Sequence, residues 1–200
     1  MFDALFTTTT EYKKLSHALS GKGACALFGL PASGRAQVYA ALCRQLDKPL
    51  CIVTPGEAEA TRFAADLNTL GIPAAVFPAR DYVLRSIEGT AREYEYRRLA
   101  VLGELVGGRL RAVAVPAEAL TQFTTPKEDF CANTRTLHAG DTLLRDDLLA
   151  ALFGAGYTRR AQVDGPGQFS VRGDIVDIFA PDQKMPVRME FWGDEIDTLH

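Results

Sequence analysis

Gly29-Leu30-Pro31-Ala32-Ser33-Gly34-Arg35-Ala36 has the spacing of a phosphate-binding loop, but both of its working positions are replaced. In such a loop, backbone N–H groups and a helix N-terminus cradle the phosphates. A lysine after the second glycine reaches the β and γ phosphates, and a Ser or Thr hydroxyl holds Mg²⁺. Arg35 keeps the charge on a planar fork bulkier than an ammonium. Ala36 has no oxygen to offer a metal. Each lost charge-assisted contact is worth about 1.5–3 kcal/mol, so the pair lowers nucleotide affinity by roughly two to four orders of magnitude. The apolar run at 24–28 reads as a buried strand, and Val38, Ala41, Leu42 and Leu46 recur at helical spacing behind the loop. The spacing predicts the frame of a nucleotide site without its chemistry. The plain alternative is a chance pair of glycines in a turn.

The elements that must position these residues alternate. Apolar runs at 50–54, 74–77 and 112–115 join the one at 24–28, with helical patterns at 36–47, 57–70 and 91–107 between them. This rhythm predicts a parallel sheet covered by helices. No acid stands in 112–116, where a nucleotide hydrolase would hold its metal. At 121–126 the rhythm stops, and Thr124-Thr125-Pro126 reads as a boundary. A helix is predicted at 145–153, followed by strands within 168–179 and 187–191 about the turn Ala180-Pro181-Asp182. Residues 1–123 hold 14 basic and 12 acidic side chains, and residues 124–200 hold 8 and 13, so net charge changes from +2 to −5. The expectation is an incomplete α/β domain over 1–123 and a small α+β domain over 124–200.

Several function classes are excluded by composition. A net charge of −3 gives no basic footprint for bulk nucleic-acid binding. Cys25, Cys43, Cys51 and Cys131, with His17, His138 and His200, show no metal-ligand spacing, so no zinc site is expected. Neither a signal peptide nor a membrane span is read, and cysteines without a disulfide framework fit a reducing cytoplasm. The helix at 91–107 carries Arg92, Arg97 and Arg98 with Tyr94 and Tyr96, a set able to stack on nucleic acid. Glu93, Glu95 and Glu104 interrupt it, so an amphipathic surface helix with (i, i+4) pairs is the reading preferred.

Along 169–178 the period is two. Counted straight through, Phe169, Val171, Ile175 and Phe179 share one face, and Ser170, Arg172, Asp174, Val176 and Ile178 the other. An arginine beside Val176 and Ile178 makes a candidate binding patch. The alternative is a sheet packed on both faces, with Arg172 paired to Asp174 or Asp177.

The strings V-R-G-D-I-V-D-I-F-A-P at 171–181 and R-M-E-F-W-G-D-E-I-D at 188–197 closely resemble the second domain shared by UvrB and the transcription-repair coupling factors. The resemblance covers most of the chain, more loosely over the first 25 residues. UvrB carries an intact phosphate loop and a long insertion with a DNA-gripping hairpin. Here the loop is degenerate, and the segment from Phe77 to Ala100 is too short for that hairpin. Both departures resemble the amino-terminal region of the coupling factors. The resemblance implies a UvrB-like module that binds UvrA and has no ATPase of its own. ATP, Mg²⁺, DNA and RNA polymerase would then belong to later regions of a longer protein, of which this chain, ending at His200, would be a fragment. By the same resemblance Arg172 and Arg159 are UvrA contacts, with Arg160 a substitute for Arg159 because Thr158 stands directly after Tyr157. Ser170 replaces a further family arginine. A nucleotide-binding helicase half that binds DNA is the alternative function, and a solvated turn is the alternative for Arg159-Arg160.

Overall fold

The computed structural model describes residues 6–21, 23–46, 48–80 and 90–200. They form two compact units, residues 1–82 with 107–122, and 83–106 with 123–200. The break between Gln122 and Phe123 falls where the sequence rhythm stops. The helix expected at 91–107 is placed in the second unit, not with the α/β rhythm of 1–123.

The first unit begins with α1 (Thr10–Ser20), whose N-cap Thr9 accepts a hydrogen bond from the Tyr12 amide at 3.3 Å. Next come α2 (Ala32–Gln45), β1 (Leu50–Thr54), α3 (Glu57–Thr69) and β2 (Ala74–Val76). The unit resumes with β3 (Ala112–Pro116) and the short α5 (Ala117–Leu120), α4 (Thr90–Val106) lying in the other unit. The sheet is parallel in the order β1-β3-β2. β3 is buried along its whole length, as a central strand must be. On α3, Ala60, Phe63, Ala64 and Leu67 follow the i, i+3, i+4, i+7 rule and pack on Ile52, Ala74, Ala112 and Ala114. α2 is apolar on two sides. Ala36, Ala40 and Cys43 join that core, while Val38, Ala41 and Leu42 meet Tyr12 and Leu15 of α1. Arg111 Nη2 donates to the Cys43 and Leu46 carbonyls at 2.7 and 2.6 Å and so satisfies the end of α2.

The strand expected at 24–28 is not formed. Residues 23–28 are irregular and exposed, with Leu27 45% and Phe28 88% accessible. A strand needs a ladder partner and a covered face, and among the described residues this run has neither. Among the described residues β1 is an edge strand, with Cys51 and Val53 exposed on one side. Asp47, the expected end of the helix at 36–47, lies outside the described residues, as do residues 81–89 within the segment compared with the UvrB hairpin.

The second unit contains α4, α6 (Lys127–Ala132), α7 (Arg145–Gly154), and strands β4 (Thr158–Arg159), β5 (Gln168–Arg172), β6 (Ile175–Phe179), β7 (Val187–Trp192) and β8 (Glu195–Leu199). The strands form one mixed sheet in chain order, β4 parallel to β5 and the rest antiparallel. α7 closes with a Schellman pattern. Tyr157 N–H donates to the Leu152 carbonyl at 2.9 Å and Gly156 N–H to that of Phe153 at 3.0 Å, with Gly156 at φ +83°. Leu148 and Leu152 of α7 cover one face of the sheet, packing on Phe169, Val176, Met189 and Ile196. The other face of β5, β6 and β7 carries Ser170, Arg172, Asp177, Arg188 and Glu190 together with Ile175 and Trp192.

Candidate protein-binding face

The segment with phosphate-loop spacing is mostly helical rather than an open loop. Gly29 takes φ +81°, but α2 already starts at Ala32, so Gly34 sits inside its first turn. Helix has grown back through the segment that would wrap the anion. Arg35 turns toward α3, with Nη1 3.7 Å from Glu59 Oε1 and the guanidinium 5.6 Å from the Phe63 ring centroid. Ala36 is 2% exposed in the core of the first unit. Gly34, Arg35 and Ala36 therefore belong to α2 in this arrangement, with Gly29 in the exposed bend before it, because Ala32 and Ser33 are helix-compatible and Ala36 gains more by burial than a surface loop would allow.

The face of the second sheet opposite α7 is set by a two-residue turn. Gly173, at φ +61°, and Asp174 connect β5 to β6. The register pairs Arg172 with Ile175, Val171 with Val176 and Ser170 with Asp177. Paired residues share a face, so the alternation reverses across the turn relative to a straight count. Val176 is consequently fully buried beneath α7, with Ile178 9% exposed. This corrects its expected place beside Arg172. Ile175 and Asp177 occupy that face instead.

Asp177 is its hub. Its carboxylate accepts from Arg188 Nε at 2.7 Å, Arg188 Nη2 at 3.1 Å, Arg172 Nη2 at 2.8 Å and Ser170 Oγ at 3.3 Å. The bonds from Arg188, then those from Arg172 and Ser170, outweigh burial and lower the Asp177 pKa from 3.8 to about 2. The same contact raises that of Arg188. Side-chain exposure is 12% for Asp177 but 60% for Arg172 and 45% for Arg188. Arg172 is thus both ion-paired and available. Strand alternation adds Glu190 and Trp192 to the face of Arg188, and Trp192 is 84% exposed.

Arg159 and Arg160 are both exposed at the sheet edge. The β4 register aligns Arg159 with Phe169, on the side that α7 covers. The next residue, Arg160, follows toward the side of Arg172, its amide donating to the Phe169 carbonyl at 2.8 Å. Arg188, Trp192 and Ile175 escape a reading confined to single arginines. The alternation in R-M-E-F-W, taken with a two-residue turn at Gly173-Asp174, was the signal that points to them. No cluster able to hold a metal occurs among the described residues, and no helix among them is long and apolar enough to cross a membrane.

Known proteins resemble this chain. Residues 136–200 match the UvrB interaction domain. The chain is 29% identical over 175 residues to the transcription-repair-coupling factor of Bacillus subtilis, covering 86% of this chain and 15% of that protein. It is 37% identical over 177 residues to the factor of Mycobacterium bovis, covering 84% of this chain and 14% of that one. UvrABC system protein B of Burkholderia mallei is 28% identical over 190 residues, covering 87% of this chain and 27% of that protein. The chain therefore spans about a seventh of the coupling factors it matches and about a quarter of UvrB. Residues 136–200 are a UvrB interaction domain, in a chain homologous to the transcription-repair-coupling factors and to UvrB.

Proposed function

We propose that this chain is a protein-docking module of nucleotide excision repair. It recruits UvrA through the outer face of β5, β6 and β7, and it neither binds nor hydrolyses ATP. The observation that carries the reading is the Arg172–Asp177–Arg188 triad, with Trp192 further along β7, on the face of the matched domain opposite α7. Arginine forks bind carboxylates through parallel hydrogen bonds. A solvent-facing tryptophan supplies a large rigid apolar area at small entropic cost. Arginine and tryptophan together are the residue types that dominate binding energy at protein interfaces. Arg160 extends the positive end of the face, and Arg159 serves the edge nearest α7.

Absence of ATP chemistry is part of the proposal, supported by Arg35 bound to Glu59 and by Ala36 in the core. A translocase activity, DNA and RNA polymerase are assigned by this proposal to other regions of a coupling factor. Binding of the purified chain to UvrA, with and without nucleotide on UvrA, tests the reading. Saturable binding without nucleotide on this chain is expected. No binding under either condition contradicts it.

A further inference from the structure

We propose that Asp177 is a positioning residue that holds Arg172 and Arg188 as one rigid pair of forks for a carboxylate of the docking protein. The inference rests on the reading that this face binds UvrA, and adds how the face is prepared and what it selects. Asp177 lies on the central strand β6, opposite Ser170 on β5 and Arg188 on β7. Four hydrogen bonds converge on its two oxygens, at 2.7 to 3.3 Å. That occupies its acceptor sites, and with its side chain 12% exposed it has little to offer a partner directly. The arginines differ. Each has five N–H donors, of which Asp177 takes two from Arg188 and one from Arg172.

An unanchored surface arginine samples many rotamers, and ordering it at an interface weakens association. Here both guanidiniums are fixed beforehand on strands that flank β6. Pre-ordering two such side chains is worth roughly tenfold in affinity. The triad carries one positive charge in excess, partly offset by Glu190, so it is the free N–H donors of the two forks that suit a single carboxylate. Glu190 and Glu195 belong to the neighbouring strands, Glu190 on the same face, and their charge disfavours a polyanion such as a nucleic-acid backbone. The surface is therefore matched to an acidic protein side chain.

The test is UvrA affinity of the 200-residue chain as wild type, Asp177→Asn, Arg188→Lys and Arg188→Glu, with melting temperature and the ¹⁵N signal of the Arg188 Nε–H group. Lysine keeps the charge but loses the fork. Asp177→Asn and Arg188→Lys should each weaken binding about tenfold, and Arg188→Glu further still. The Arg188 Nε–H should be protected from solvent exchange in the wild type and lose that protection in Asp177→Asn while the amide spectrum of the sheet persists. Should Asp177→Asn fail to fold, Arg188→Lys decides alone. Wild-type affinity in the two conservative variants, with Arg188→Glu impaired, overturns the positioning role and leaves the docking reading standing. Wild-type affinity in Arg188→Glu, or no UvrA binding by the wild type, overturns both.

Discussion

Asp177 shows how one side chain ties stability to recognition. Its pKa is lowered from 3.8 to about 2, first by the Arg188 hydrogen bonds and then by those of Arg172 and Ser170. A depressed carboxylate contributes stability that is complete above its unfolded pKa and is lost as pH falls through the folded one. The melting temperature of the wild type should therefore drop between about pH 4 and about pH 2 more steeply than that of Asp177→Asn, and the two should converge at the acid end. Parallel profiles from calorimetry across that range would contradict the assigned role. Trp192 is the opposite case. Being 84% exposed, it contributes little to the fold, and Trp192→Ala should leave the melting temperature nearly unchanged. Its energy is available to a partner, where truncating such a residue costs about 2 kcal/mol, roughly thirtyfold in affinity. Arg172 combines both situations, since a 2.8 Å ion pair coexists with a side chain 60% exposed.

At the scale of elements, α2 decides the fate of the phosphate loop. Restoring the lysine and the hydroxyl by Arg35→Lys with Ala36→Ser should not create an ATP site, because the helix occupies residues 32–45 and position 36 faces the core. Titration of the double variant with a fluorescent ATP analogue and Mg²⁺ should give no saturable signal at millimolar concentration, and micromolar binding would show that the loop re-forms. A second element-level constraint joins α4 to the strand entry at Gly167. That glycine has φ +73°, and a Cβ there would land on the ring and hydroxyl of Tyr96. Gly167→Ala should cost about 2 kcal/mol, read as a lower denaturant midpoint in urea. An unchanged midpoint would mean that Tyr96 moves aside freely. The sequence made β1, β2, β3 and α3 legible because burial imposes its period on them directly. Ala60, Phe63, Ala64 and Leu67 are an example. The run at 24–28 has the composition of a strand, yet pairing is a tertiary property that composition does not contain. Val176 was misplaced for a different reason. Residue count alone does not reveal that Gly173-Asp174 reverses the alternation, and one turn moved Val176 and Ile178 into the core and Ile175 and Asp177 out of it. Arg172 was legible as a site through the V-R-G-D string. Its partner Arg188 lies sixteen positions away, and only the ladder β5-β6-β7 brings them to one carboxylate.

For the whole molecule, charge bears on the proposed class of partner. The chain is acidic, with net charge −3 at neutral pH, so long-range attraction to nucleic acid is not its source of affinity. Arg172 and Arg188 meet on one face of a sheet whose other face is covered by α7. A first unit that keeps a parallel sheet and buries Ala36 in its core, and a second that carries paired arginine forks and an exposed indole on one face, suit the proposed docking role. The central claim is that this face holds UvrA. Its most direct test is the dissociation constant for UvrA of the wild type and of Arg172→Glu, with the melting temperature of each. A partly desolvated interface arginine reversed in charge should weaken binding by about a hundredfold while melting shifts by only a few degrees. Wild-type affinity in Arg172→Glu would contradict the account.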